Sequence, residues 1–162
     1  ASRRGGQINA RVESLHEKAS FKNLIGRQQC IIPCSGYFEW QIKNGTKIPQ
    51  YIFPQNGEYL FLAGLWDKWI SPTQNELFSF TVITQNASSN ISEVHQRMPI
   101  MLDMDSAKLW AKNDLSLKDL QESSHSEVDY FEVSSQVNSV KNNSPALIHP
   151  TDKPMLWQDD LF

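Results

Sequence analysis

The chain has 162 residues, 40% of them apolar and 20% charged, a balance that fits a single folded domain and excludes a disordered polymer. A formal net charge of −3 argues against a broadly basic nucleic-acid binder, as does a pI near 5.8. No apolar run approaches a membrane span, and the opening Ala1-Ser2-Arg3-Arg4-Gly5-Gly6 is not a signal peptide, so no membrane partner and a cytoplasmic location are expected.

The charge is unevenly spread. Residues 1–50 hold eight Lys/Arg against three Asp/Glu, and residues 51–162 hold seven against fifteen. Local charge is what a phosphate meets, so the N-terminal third can form a basic surface in a chain that is acidic overall. A randomly uneven solvated surface is the other reading. The chain begins with Ala1 rather than an initiator methionine, which suggests that its beginning has been trimmed.

In chain order, Ile8 to Arg11 reads as extended or irregular. Ser20 is placed to cap a short helix, with Phe21, Leu24 and Ile25 on one face and Gly26 ending it. Gln29 to Pro33 and Tyr37 to Ile42 read as strands. Lys43-Asn44-Gly45-Thr46 contains an Asn-Gly turn, and Gln50 to Phe53 returns as the hairpin partner. Tyr59 to Trp66 is a long apolar strand in which Gly64 marks a bulge or a close backbone approach. Phe78 to Thr84 alternates as another strand. Asn90 and Glu93 resemble a capping box for a short helix ending near His95, and Asp105 and Ser116 are candidate caps for two more. Asp129 to Ser134 is a late strand, and the tail beyond Pro145 is mostly irregular. Hairpin-linked strands with short inserted helices predict an α+β fold, with a curved, mainly antiparallel sheet closing toward a barrel-like core and short peripheral helices.

Cys30 and Cys34 lie four apart on a predicted strand, too far for a disulfide, and no second Cys or His cluster completes a zinc site. Buried free thiols and no bound metal are expected.

Glu39 is the main chemical candidate. It sits in Gly36-Tyr37-Phe38-Glu39-Trp40, where an unpaired carboxylate is costly to bury. Strand alternation puts Phe38 and Trp40 on one face, anchoring the sheet, and Tyr37 and Glu39 on the other. Glu39 then looks into a cleft as a general acid or base, or it lies on an edge strand in water. His95-Gln96-Arg97-Met98-Pro99 offers an imidazole able to donate or accept a proton and a guanidinium fork for phosphate or carboxylate. The blander roles are a helix C-cap for His95 and an ion pair with Glu93 for Arg97. Asn9, Arg11 and Glu13 alternate on an extended segment, as a row for a polar ligand or as a surface Arg11–Glu13 pair.

Taken together, Asn9 with Arg11, Cys34 to Trp40, Ala63-Gly64-Leu65-Trp66, Val82-Ile83-Thr84 and His95 to Pro99 occur in an order and spacing that resemble the SOS response-associated peptidase family, the SRAP domain of abasic-site processing proteins. Val133 to Asn138 and Ser144 to Ile148 resemble that family's closing segment. The resemblance runs from about Ile8 to Pro150, within a single domain over residues 1–162 that lacks the family's N-terminal segment.

The resemblance implies a partly closed antiparallel barrel and a protein that captures abasic sites in single-stranded DNA. It implies a thiazolidine crosslink through a cysteine at the mature N-terminus, with autoproteolytic removal of the initiator residue. Glu39 would open the sugar ring, His95 would move protons during Schiff-base formation, and Asn9 would hold the nucleophile or adduct. Arg11 and Arg97 would grip phosphates, with Thr84 as a neutral phosphate contact. Ala1 is not the reactive cysteine, and Cys30 and Cys34 cannot replace it, because a thiazolidine takes its amine and its thiol from one residue. No cofactor is implied, and a cytoplasmic, nucleoid-associated monomer is expected. The alternatives are a reversible single-stranded DNA-binding module without catalysis and a hydrolase acting on other peptides. No Ser-His-Asp or Cys-His set supports the latter.

Overall fold

Six strands form one sheet and three form a second in the computed structural model, which describes residues 7–151. The expectations for Ala1–Gly6 and for the chain after Thr151 fall outside the described residues. The first sheet holds β1 (Asn9–Arg11), β2 (Gln29–Cys34), β5 (Leu60–Ile70), β6 (Glu76–Asn86), β7 (Arg97–Pro99) and β8 (Met101–Leu102). β3 (Tyr37–Lys43), β4 (Thr46–Pro54) and β9 (Val128–Glu132) form the second. The helices are α1 (Met104–Ala111) and α2 (Leu117–Glu122). β1 runs parallel to β6 and the other strand pairings are antiparallel. The result is an α+β fold in which a curled mixed sheet makes a half-barrel.

Local chemistry accounts for most of these elements. Asn44 and Gly45 take φ of 51° and 77°, the left-handed pair that a tight hairpin turn between β3 and β4 requires. Ser116 caps α2 as its sequence position suggests, its side chain accepting from the Asp119 N–H. α1 is capped by Asp103, not Asp105; the Asp103 carboxylate accepts from the Ser106 N–H at 2.8 Å. Two expected helices are absent. Residues 20–26 form successive turns that send Phe21 and Leu24 into the core, with Gly26 at φ 73° closing them. Residues 89–94 also form turns, because the Asn90 amide donates to Ser126 O and Val128 O, both at 2.9 Å, instead of capping a helix.

β5 and β6 pair from Ile70–Glu76 down to Gly64–Val82 and then separate. The short segment 97–102 fills the gap. β7 pairs with the end of β6, β8 pairs with β5, and Ile100 bridges both by donating to Ile83 O and accepting from Ala63 N, each at 2.9 Å. β7 and β8 are too short to carry a periodic signal, and the sequence reading missed them. Gly64 is the close approach expected there: a methyl group at this position would meet Thr81 O at 2.8 Å and the Ile32 side chain.

Two apolar clusters flank the curled sheet. One gathers Ala10, Leu15, Leu65, Ile83 and Trp110, and the Trp110 indole donates to Cys30 O and Gly64 O, both at 3.1 Å. The other gathers Ile52, Leu60, Leu62, Met98 and Met101 between the two sheets. The outer half of the β5–β6 hairpin leaves Trp69, Leu77, Phe78 and Phe80 exposed. Cys30 and Cys34 are free thiols, partly exposed rather than fully buried as expected. Among the described residues, no helix is long and apolar enough to cross a membrane.

Candidate functional site

β1 places its polar side chains by register. Asn9 lies beside Val82 and Arg11 beside Thr84 in the parallel pair, while the intervening Ala10 and Ile83 are fully buried. Alternation therefore sends Ala10 and Ile83 into the first core and turns Asn9, Arg11, Val82 and Thr84 toward the opposite face. There they line a cavity of about 420 Å³.

β3 supplies the opposite wall with Tyr37, Phe38 and Glu39. The alternation is as expected, but the face packed on the inner core is that of Tyr37 rather than that of Phe38 and Trp40. Glu39 shares its face with Tyr37, and it is the register partner of Tyr37, Ile52, that lies in the inner core. Phe38 instead joins an aromatic row on the other face, with rings 5.4 Å from Tyr51, and Phe131 lying 5.8 Å beyond. Trp40 points the same way, its indole donating to Asn138 Oδ1 at 2.7 Å. The side chain of Glu39 is half-buried, and Oε1 accepts from the Trp40 N–H at 3.0 Å. The second oxygen has no hydrogen-bond partner among the described residues.

Gln41 follows Glu39 on the same face and is buried. Its amide donates to Glu93 O at 3.0 Å, and Gln50 donates to its oxygen at 3.3 Å. This amide pair ties the Glu39 strand to the turn that ends at His95. His95 lines the cavity from that turn rather than from a helix end. Its Nδ1 lies 3.0 Å from the Arg97 N–H and 3.1 Å from Arg97 O, so this nitrogen accepts in one tautomer and donates in the other, and either way the Arg97 backbone orients the ring.

Arg97 also lines the cavity, but its fork is engaged. Nη1 and Nη2 donate to the two carboxylate oxygens of Glu13 at 2.7 and 2.9 Å. Asn86 Oδ1 at 2.8 Å and Thr84 O at 2.7 Å complete the cradle. The Arg97–Glu93 pair is not formed, and Glu13 does not pair with Arg11, because β1 stops at Arg11 and Val12–Ser14 coils as a 3-10 turn that swings Glu13 toward Arg97. The guanidinium beside it holds the Glu13 pKa below its ordinary value. Thr84 is buried, with its hydroxyl donating back to Ala10 O at 3.4 Å.

All six residues singled out in the sequence thus line one cavity: Asn9, Arg11, Glu39, Thr84, His95 and Arg97. Two polar neighbours were missed. Lys18 reaches the cavity from a turn, and the excess of basic residues in the first 50 was its only signal. Tyr37 has a buried hydroxyl without a hydrogen-bond partner among the described residues; burial first, then the charges of Glu39 and Cys34, push its pKa above the ordinary value. Neither Arg11 nor Lys18 has an acidic partner among the described residues, so these two cations face solvent at the mouth. No group of three metal-binding side chains occurs among the described residues.

The sequence profile described as SOS response associated peptidase (SRAP) matches residues 2–140. The abasic site processing protein YoqW of Bacillus subtilis (strain 168) is 39% identical over 147 residues, covering 87% of this chain and 66% of that protein. The abasic site processing protein HMCES of Xenopus tropicalis is 36% identical over 160 residues, covering 85% of this chain and 48% of that protein. The chain therefore spans between about half and two thirds of the length of these relatives. Among solved structures, a protein from Bacteroides thetaiotaomicron superposes with a TM-score of 0.79 at 27% identity, over 89% of this chain and 66% of that one.

Proposed function

The chain belongs to the SOS response-associated peptidase family, and on that premise we propose that its cavity receives the baseless sugar of an abasic site in single-stranded DNA. The observation that carries the reading is the convergence of Asn9, Glu39 and His95, distant in sequence, on one cavity with unpaired cations at its mouth.

The chemistry follows from what an abasic deoxyribose is. Most of it is a closed hemiacetal. Glu39 accepts the C1′ hydroxyl proton and returns it to the ring oxygen O4′ as the C1′–O4′ bond breaks, giving the C1′ aldehyde and a free C4′ hydroxyl. The covalent step uses the α-amine and thiol of a cysteine at the mature N-terminus, a residue that is not among these 162. The amine adds to C1′, and water departs with a proton delivered by His95, leaving a Schiff base. The thiolate then adds to the imine carbon and the nitrogen takes a proton, closing a thiazolidine with one water released overall. Asn9 holds the amine or the adduct by hydrogen bonds. Arg11, Lys18 and Arg97 supply positive charge to the flanking phosphates, and Thr84 shapes the wall between them. Removal of the initiator residue exposes the cysteine and accounts for the peptidase name. The protein works as a monomer at single-stranded DNA.

The test is a denaturing gel of abasic single-stranded DNA with the protein carried from its N-terminal cysteine. A denaturant-resistant band is expected, and its absence overturns the reading. Glu39→Gln should slow adduct formation by about 100-fold or more while changing DNA affinity little, as loss of a general acid or base does. Equal losses in both would make Glu39 structural. Reversible binding indifferent to a missing base would instead mark a non-covalent module.

A further inference from the structure

We infer that Glu13 is an affinity brake: it occupies the Arg97 fork and withholds one phosphate contact from single-stranded DNA. This rests on the nucleic-acid reading of the cavity and adds to it a residue that sets how tightly the backbone is held.

The geometry carries the inference. Glu13 and Arg97 lie far apart in sequence and meet in a bidentate pair of 2.7 and 2.9 Å, the arrangement in which a carboxylate mimics the two oxygens of a phosphate. The Arg97 side chain keeps only 19% of its exposure, whereas Glu13 keeps 46%. The acid is therefore the more exposed partner; Arg97 lines the cavity, and Glu13 clamps its fork from outside that lining. Asn86 Oδ1 and Thr84 O also hold the guanidinium, so its position does not depend on Glu13 alone. The ligand-facing cations that remain unpaired, Arg11 and Lys18, give a base affinity for any strand. Engaging Arg97 as well requires a phosphate to displace the carboxylate, or to share the fork with it. A backbone without a well-seated sugar then gains little from Arg97. The lowered pKa of Glu13 keeps the brake charged across the neutral range.

The experiment is fluorescence anisotropy with labelled single-stranded oligonucleotides, one abasic and one intact, over a range of salt. Glu13→Gln is expected to tighten both oligonucleotides several-fold and to steepen the slope of log affinity against log salt by about 0.7, the value for one added phosphate contact on a single strand. The gain must act through Arg97. In an Arg97→Gln background, Glu13→Gln should therefore give no tightening. Unchanged or weaker binding by Glu13→Gln overturns the inference, and so does a gain that persists without Arg97, which would be a mere change of net charge. If Glu13→Gln fails to fold, Glu13→Asp carries the test: it keeps the charge, loses the bidentate reach, and is expected to tighten binding by a smaller factor, with no tightening again refuting the brake. Failure of wild type to distinguish abasic from intact DNA would end the reading of the cavity. The effect of Glu13 on the intact strand is read separately.

Discussion

Replacing Gln41 by Leu should destabilise the protein by about 2–4 kcal/mol and blunt the site at the same time. Gln41 and Gln50 are 5% and 2% exposed, so neither has water to fall back on. With leucine, Glu93 O loses its 3.0 Å donor and the Gln50 amide loses its 3.3 Å acceptor. Each buried group left unpaired costs about 1–3 kcal/mol, and the added apolar burial returns part of the sum. Urea unfolding at equilibrium measures the loss as a shift in midpoint at constant m. Gln50→Leu in the same background should cost less than it does alone, because its partner has already gone. The same substitution unties Glu93 from the Glu39 strand, so the His95 turn loses its register and adduct formation should slow although His95 itself is intact. A loss below about 0.5 kcal/mol, the scale of an ordinary surface change, would refute the claim that this amide pair holds the two walls together.

Acid should weaken the fold through two carboxylates, Glu13 and Asp103. The Arg97 hydrogen bonds lower the first pKa, and the Ser106 N–H that Asp103 caps lowers the second. A folded-state pKa below the unfolded one gives stability that is present above the ordinary carboxylate range, near pH 4, and lost as pH falls through the folded values. Urea midpoints against pH should show this limb, and Glu13→Gln should flatten it; an identical limb in the variant would refute the assignment. Burial pushes the Cys30 thiol up to about 11, so iodoacetamide should label it slowly at neutral pH and faster only as the pH approaches that value. Rapid labelling of folded protein at pH 7 would contradict this.

The longer strands were legible because their signals are local, whereas β7 and β8 are too short to carry one. The Asn44-Gly45 turn fixed the β3–β4 hairpin, and alternation over Phe78 to Thr84 marked β6. The expected helices at Ser20 and Asn90 failed for a tertiary reason: Phe21 and Leu24 reach the core from turns, and the Asn90 amide is drawn to β9 and the residues before it. Sequence order identified the six cavity residues but not their connections. The Glu13–Arg97 pair depends on where β1 ends, and which face of β3 turns inward depends on a second sheet packing against it. Neither is written in the residues nearby.

Leu62, Val82 and Met98 line the cavity and also belong to, or pack against, the apolar cluster between the sheets. The floor of the pocket is thus the roof of a core. A substitution that reshapes one reshapes the other, so ligand fit and thermal robustness cannot drift apart at these positions. Selection for a different guest has to work through the polar rim, where Asn9, Arg11 and Lys18 can change without disturbing that shared layer.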